Sequence, residues 1–355
     1  MSAWIVAGRR TAVVPRGGAF ARLSLEGLAA PVIAACLADA GIGVGEVDEV
    51  IVANALGAGG NPARVVALAA GLPERVAGLS IDRQCAGGLD AVLLARALVE
   101  SGAAEVVVAG GVESYSRRPL RFRTDPEGGA PVAYDQPAFT PWPERDPGMV
   151  EAAAGLAERL GISRAAQDGW AVDSHRKALA AEMAEIVPVA GQVRDGFARV
   201  LRAAGRAKVL HGTVTVANAA VAADAAAFVV VVSARRARGL RIVGGVTLGG
   251  RPEEPGLAPV AAIAQVLARA GVRADQVAVA EVMEAYAVQA IACVQGAGLD
   301  PARVNMGGGA LARGHPIGAS GAILAVRLLH QLRGGYGLAA IAAAGGIGTA
   351  LLVER

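Results

Sequence analysis

A chain of 355 residues with 54% apolar residues and a net charge of +3 can bury a large core, or two, without disulfides or metals. Aromatics make up only 3% and the arginines and lysines are scattered. A base-stacking nucleic-acid surface is therefore excluded, and the charge suggests an anionic small molecule at most. No apolar run approaches the roughly 20 residues that cross a bilayer, and the N-terminal apolar run precedes Arg9 and Arg10, the reverse of a secretory signal.

Apolar β-branched runs alternate with helical patterns along the chain. Residues 4–7 read as a strand, Leu25–Ala40 as a helix, 50–53 as a strand, 87–101 as a helix and 106–109 as a strand. From 117 to 147 proline and arginine crowd a stretch with little periodicity, as expected of an inserted loop that covers a site. An amphipathic helical stretch follows over 149–183, with Ser163 as an N-cap before Gln167. Residues 229–232 read as a strand, Ala258–Ala270 as a helix, Val277–Val282 as a strand, 288–295 and 318–332 as helices, and 339–343 as a strand. This alternation implies a layered α/β architecture. A turn, helix and strand ending in Gly110-Gly111 echo a later turn, helix and strand ending in Gly345-Gly346, a weak sign of internal duplication.

Three cysteines, Cys36, Cys85 and Cys293, are odd in number and far apart, which fits reduced thiols in a cytoplasmic setting. Cys36 and Cys293 fall in helical patterns and read as buried apolar residues. Cys85 stands between a strand and the Ala86-Gly87-Gly88 entry to a helix, where the helix dipole is expected to lower its pKa. The small residues after it would let a carbonyl oxygen approach backbone N–H groups. His315 lies in a glycine-laden segment, 307–321, just before a helix, well placed to meet a nucleophile. His175, His211 and His330 have no such setting, and none shares metal-ligand spacing with a cysteine, so no metal site is expected.

Four motifs, Asp82-Arg83-Gln84-Cys85-Ala86-Gly87-Gly88-Leu89, Gly110-Gly111-Val112-Glu113-Ser114, Asn61-Pro62-Ala63-Arg64 and Gly314-His315-Pro316-Ile317-Gly318-Ala319-Ser320-Gly321, resemble those of thiolases, in order and across nearly the whole chain. The resemblance implies two similar layered α/β halves, five layers αβαβα, with an inserted loop domain. The expected divisions are 1–116 with a strand return near 213–240, 117–212 as loop or lid, and 241–355. It also implies a homodimer or homotetramer, with no tightly bound cofactor and acyl-CoA as substrate.

By the same resemblance Cys85 is the nucleophile and His315 its base, while the backbone at Cys85 and Ala344 holds the thioester oxygen. Met149, Ala220, Ala285 and Tyr286 fall where the family shapes the acyl pocket or holds the pantetheine arm. Two departures stand out. Met283 occupies the place of an asparagine that fixes a water, and Ala342 that of the second, acid/base cysteine. Smaller ones are Ala220 for serine, Gly148 for histidine and Ala223-Asp224-Ala225 for an Asn-Asp-Gly turn. Three readings remain open: an acetyl-CoA acetyltransferase or 3-ketoacyl-CoA thiolase, an acyl-cysteine enzyme serving another acceptor or a decarboxylative condensation, and a non-catalytic CoA-binding subunit.

Overall fold

The computed structural model describes residues 2–57, 59–202 and 204–355. In chain order its strands are β1 Ala3–Arg10, β2 Val14–Pro15, β3 Glu49–Ala53, β4 Leu79–Ile81, β5 Val106–Glu113, β6 Arg121–Arg123, β7 Val132–Tyr134, β8 Val209–His211, β9 Val214–Thr215, β10 Ala223–Ser233, β11 Leu240–Gly249, β12 Val277–Val282, β13 Tyr336–Ala343 and β14 Ile347–Glu354. The helices are α1 Leu25–Ala40, α2 Pro62–Ala69, α3 Gly87–Glu100, α4 Met149–Leu160, α5 Arg164–Ala180, α6 Ala258–Ala270, α7 Ala287–Gly296, α8 Ala310–Arg313 and α9 Ile317–Gln331.

Two sheets of matching logic make up the scaffold. In the first, β1-β10-β5-β3-β4, the first two pairings are antiparallel and the last two parallel. In the second, β11-β14-β13-β12, two antiparallel pairings are followed by a parallel one. They meet only where Trp4 faces Arg241 and Ile5 faces Leu240.

The alternation of side chains along the strands sorts the core into layers. On β10, Ala225, Ala227, Val229 and Val231 face an inner core shared with α3 and α9, whereas Ala226, Phe228, Val230 and Val232 face α1 and α2. The second sheet repeats this division. Ala339, Ile341, Leu351 and Val353 point inward, and Leu338, Ala340, Ala350 and Leu352 point toward α6 and α7. The order is therefore helix, sheet, helix, sheet, helix, as the resemblance implies.

Helices α3 and α9 share the central layer because glycines let them touch. A Cβ on Gly88 would stand 2.6 Å from the Ala322 nitrogen, and one on Gly321 would stand 2.4 Å from the Leu89 nitrogen. Strand β10 is buried along its whole length, which suits its valine-rich sequence and central place.

Some expectations need correction. The stretch 149–183 is two helices, broken at Gly161, which caps α4 with a left-handed φ of 64°; Ser163 does cap α5, accepting the Ala166 N–H. The 117–147 loop carries the paired strands β6 and β7. Ala223-Asp224-Ala225 is not a turn but the start of β10. Asp224 is fully buried there and accepts hydrogen bonds from the Ser116 backbone N–H and hydroxyl. No described helix is long and apolar enough to cross a membrane.

Candidate active site

The chain turns sharply after β4 to present Cys85. Asp82 Oδ1 accepts the Gln84 N–H at 2.8 Å, and Gln84 takes a left-handed φ of 50°, which costs on the order of 1 kcal/mol for a residue with a Cβ. A short 3-10 turn, Gln84–Ala86, then runs into α3. The thiol stands half-buried at that elbow.

His315 arrives from the other half of the chain. Its N–H donates to the Val221 carbonyl at 2.8 Å, and Gly314 ahead of it needs a φ of 109°, open only to glycine. The ring is thereby set with Nε2 3.1 Å from Cys85 Sγ, across 230 residues of sequence. On the other side Nδ1 lies 2.7 Å from the Ser320 hydroxyl, one turn into α9.

Burial decides the protonation of this pair. Loss of water raises the Cys85 thiol to about 12, against the pull of the N–H groups of Cys85 and Ala344. It lowers the His315 imidazole to about 4. The expected lowering of the thiol by the helix dipole is thus overturned, since desolvation outweighs the dipole of α3. Both groups are neutral at pH 7. In the tautomer with its ring proton on Nδ1, the thiol donates to Nε2 and the Ser320 oxygen accepts from Nδ1.

The pair opens onto a cavity of about 370 Å³. Met149, Ala220, Ala285, Tyr286, Ala342 and Ala344 all lie in its wall. Ala220 and Ala285 are joined by a backbone hydrogen bond of 2.9 Å, and Tyr286 precedes α7. The 117–147 segment borders the same space through residues such as Arg118, Asp135 and Phe139. Met283 is elsewhere: 1% exposed, it packs in the inner core. Gly148 sits at the N-cap of α4 without a side chain to cap it. Cys36 and Cys293 are buried apolar residues, as read from their helical patterns.

Glu113 and Ser320 belong to two of the four motifs, and the structure gives each one a position. Glu113 is fully buried and accepts from the Asn54 amide at 2.6 Å, the Ala55 N–H at 3.0 Å and the Gly318 N–H at 3.1 Å. It ties the cavity wall at 54–56 to the N-terminus of α9, and burial lifts its carboxyl to about 7 despite those donors. An acid inside an otherwise apolar, glycine-rich motif was the available signal. Among the described residues no cluster of His, Cys, Asp or Glu could hold a metal.

The model of the thiolase N-terminal domain matches residues 3–235, and that of the thiolase C-terminal domain matches 239–355. The chain belongs to the thiolase family. Among curated relatives it is 39% identical to the Bacillus subtilis (strain 168) protein named "Putative acetyl-CoA C-acetyltransferase YhfS", over 100% of this chain and 99% of that one. It is 34% identical to VraB of Staphylococcus aureus (strain MRSA252), which carries the same description, over 99% and 98%. Among solved structures, the Acat5 thiolase from Ascaris suum in complex with coenzyme A superposes with a TM-score of 0.93 at 28% identity, covering 100% of both chains. The Bacillus anthracis acetyl-CoA acetyltransferase gives 0.91 at 32% identity, over 99% and 98%.

Proposed function

We propose that this thiolase takes an acyl group from acyl-CoA onto Cys85 as a thioester and passes it on, in the manner of an acetyl-CoA acetyltransferase or 3-ketoacyl-CoA thiolase. The observation that carries this reading is the 3.1 Å contact between Cys85 Sγ and His315 Nε2 at the cavity wall. His315 Nε2 takes the thiol proton as Sγ attacks the thioester carbonyl, then returns it to the departing CoA sulfur. The N–H groups of Cys85 and Ala344, which face the sulfur, are placed to receive the oxygen that gains charge during attack.

Met149, Ala220, Ala285 and Tyr286 would border the acyl chain and pantetheine arm. A CoA thioester as substrate is supported by the coenzyme A complex of the Ascaris suum thiolase and by the acetyl-CoA names of the bacterial relatives; no resident cofactor belongs to this reading. Ala342 offers the cavity a methyl group, and a methyl group moves no proton. Acylation needs none from that position. The same reading keeps a cytoplasmic homodimer or homotetramer and the divisions 1–116, 117–212 and 241–355 as proposals.

Intact-mass measurement after incubation with acetyl-CoA tests it. The parent should carry one acetyl adduct and Cys85→Ala none. An adduct of equal yield in the variant, or no adduct in the parent, would sink the reading.

A further inference from the structure

Carbon–carbon cleavage of a 3-oxoacyl thioester leaves an enolate that must be protonated at carbon, and His315 is occupied with the Cys85 sulfur. Few other groups around the cavity can serve. Asp135 is paired with Arg118 at 2.5 Å, and Glu254 with Arg159 at 2.6 Å. Arg121 donates to the carbonyls of Ala55 and Leu56. The amides of Gln84, Gln136 and Gln289 do not transfer protons.

Two phenols remain, Tyr115 and Tyr286, in the wall that also holds Cys85 and His315. Among the described residues neither hydroxyl makes a hydrogen bond, and neither oxygen is fully buried. Tyr115 follows β5 through Glu113 and Ser114, and Tyr286 leads into α7. The two rings thus come from opposite halves of the chain, as Cys85 and His315 do.

We propose that Tyr115 and Tyr286 are the proton-transfer groups for carbon–carbon cleavage in this cavity, an inference that rests on the Cys85 acyl-carrier reading. Cys85 Sγ adds to C3 of a 3-oxoacyl-CoA, with its proton held on His315. The C2–C3 bond breaks, its electron pair stays on C2, and a phenol O–H protonates C2 to release acetyl-CoA. The resulting phenolate takes the S–H proton of incoming CoA. The CoA thiolate then attacks the acyl-Cys85 carbonyl, and the departing Cys85 sulfur recovers its proton from His315. Every proton is returned, and no oxidant or metal is required. Burial raises both phenols, Tyr286 to about 12, so each rests protonated and ready to donate. A CoA thiol, the stronger acid, reloads the phenolate downhill.

Thiolysis of acetoacetyl-CoA by CoA, read as acetyl-CoA formed, should fall about 10²-fold or more in the double variant Tyr115→Phe/Tyr286→Phe. The single variants divide the loss between the two phenols. Acetylation of Cys85 by acetyl-CoA, read by intact mass, needs no carbon protonation, so in each variant cleavage should fall at least about tenfold further than acetylation does. Adding Ala342→Cys to the double variant should recover part of the cleavage rate, because a thiol again faces the cavity. Parent-level cleavage by the double variant, an equal loss of acetylation, or a parent that acetylates without cleaving acetoacetyl-CoA would each overturn the proposal. A parent that fails to acetylate at all overturns the acyl-carrier reading first, and this inference with it.

Discussion

Two buried polar regions handle the same penalty in opposite ways. At the cavity, Cys85 and His315 lose water without gaining a counter-charge, so burial keeps both neutral. In a second region Arg10, Arg313 and Arg327 are buried with Glu185 and Glu281, beside the nearly buried Asp195 carboxylate. Arg10 reaches Asp195 at 2.6 Å and Glu185 at 3.0 Å, and Arg327 reaches Glu185 at 2.7 Å. Burial pushes the Glu185 carboxyl up, but Arg10 and Arg327 outweigh it and hold the group down at about 2. Ions are tolerated in the interior where opposite charges are built in. Where they are not, the groups stay neutral and ionise only when a substrate supplies the charge to be met.

The sharpest way to break this contrast is to remove one member from each region. His315→Asn should slow acylation of Cys85 by about 10²–10⁴-fold, the usual loss for a general base, while the melting temperature moves little because no charge is stranded. Single-turnover mass spectrometry and a thermal melt check both halves. Arg10→Met should do the reverse. It leaves Glu185 and Asp195 without their main partner and should cost about 3–5 kcal/mol of stability, measured by denaturant unfolding. A loss below about 1 kcal/mol would mean the cluster carries no net charge pairing worth the name.

Acid separates the regions more gently. His315 is held below its ordinary 6.5, at about 4, so the unfolded chain binds its proton first. This group therefore adds no protonation-linked term above pH 6.5, and a destabilisation on the order of 3 kcal/mol builds up as pH falls from 6.5 to 4. Glu185, lowered from 4.5 to about 2, contributes a similar amount that is present above pH 4.5 and lost only between 4.5 and 2. Urea titrations at stepped pH should show two successive declines, the first missing in His315→Asn and the second in Glu185→Gln.

Much of the architecture was legible because burial writes itself into composition. The valine run of β10 and the spaced alanines of α3 and α9 announce a sheet and the helices against it. Strands β11 and β14 are not legible in the sequence, since Gly244, Gly245 and Gly348 interrupt their apolar patterns. The glycines exist for packing: a Cβ on Gly245 would meet Leu93 at 2.1 Å, and one on Gly348 the Ala258 backbone at 2.3 Å.

The reactive pair was legible from two local motifs, but its charge state was not. That depends on how completely the fold removes water, which no stretch of sequence reports. The Arg10 cluster was invisible for a related reason: its partners lie 175 and 185 residues away, and nothing in either neighbourhood points to the other. Tyr115 lies one residue beyond the motif that ends at Ser114, and nothing in its local sequence marks the phenol for chemistry.

The shared helical layer has a further consequence for biosynthesis. Gly88 on α3 can meet its partner surface only when residues 318–322 of α9 are available, so the first sheet leaves the ribosome with its inner face uncovered. A nascent chain must shield that surface until residues 318–322 have been translated. Because His315 emerges in the same late stretch, the thiol at position 85 has no imidazole partner until then.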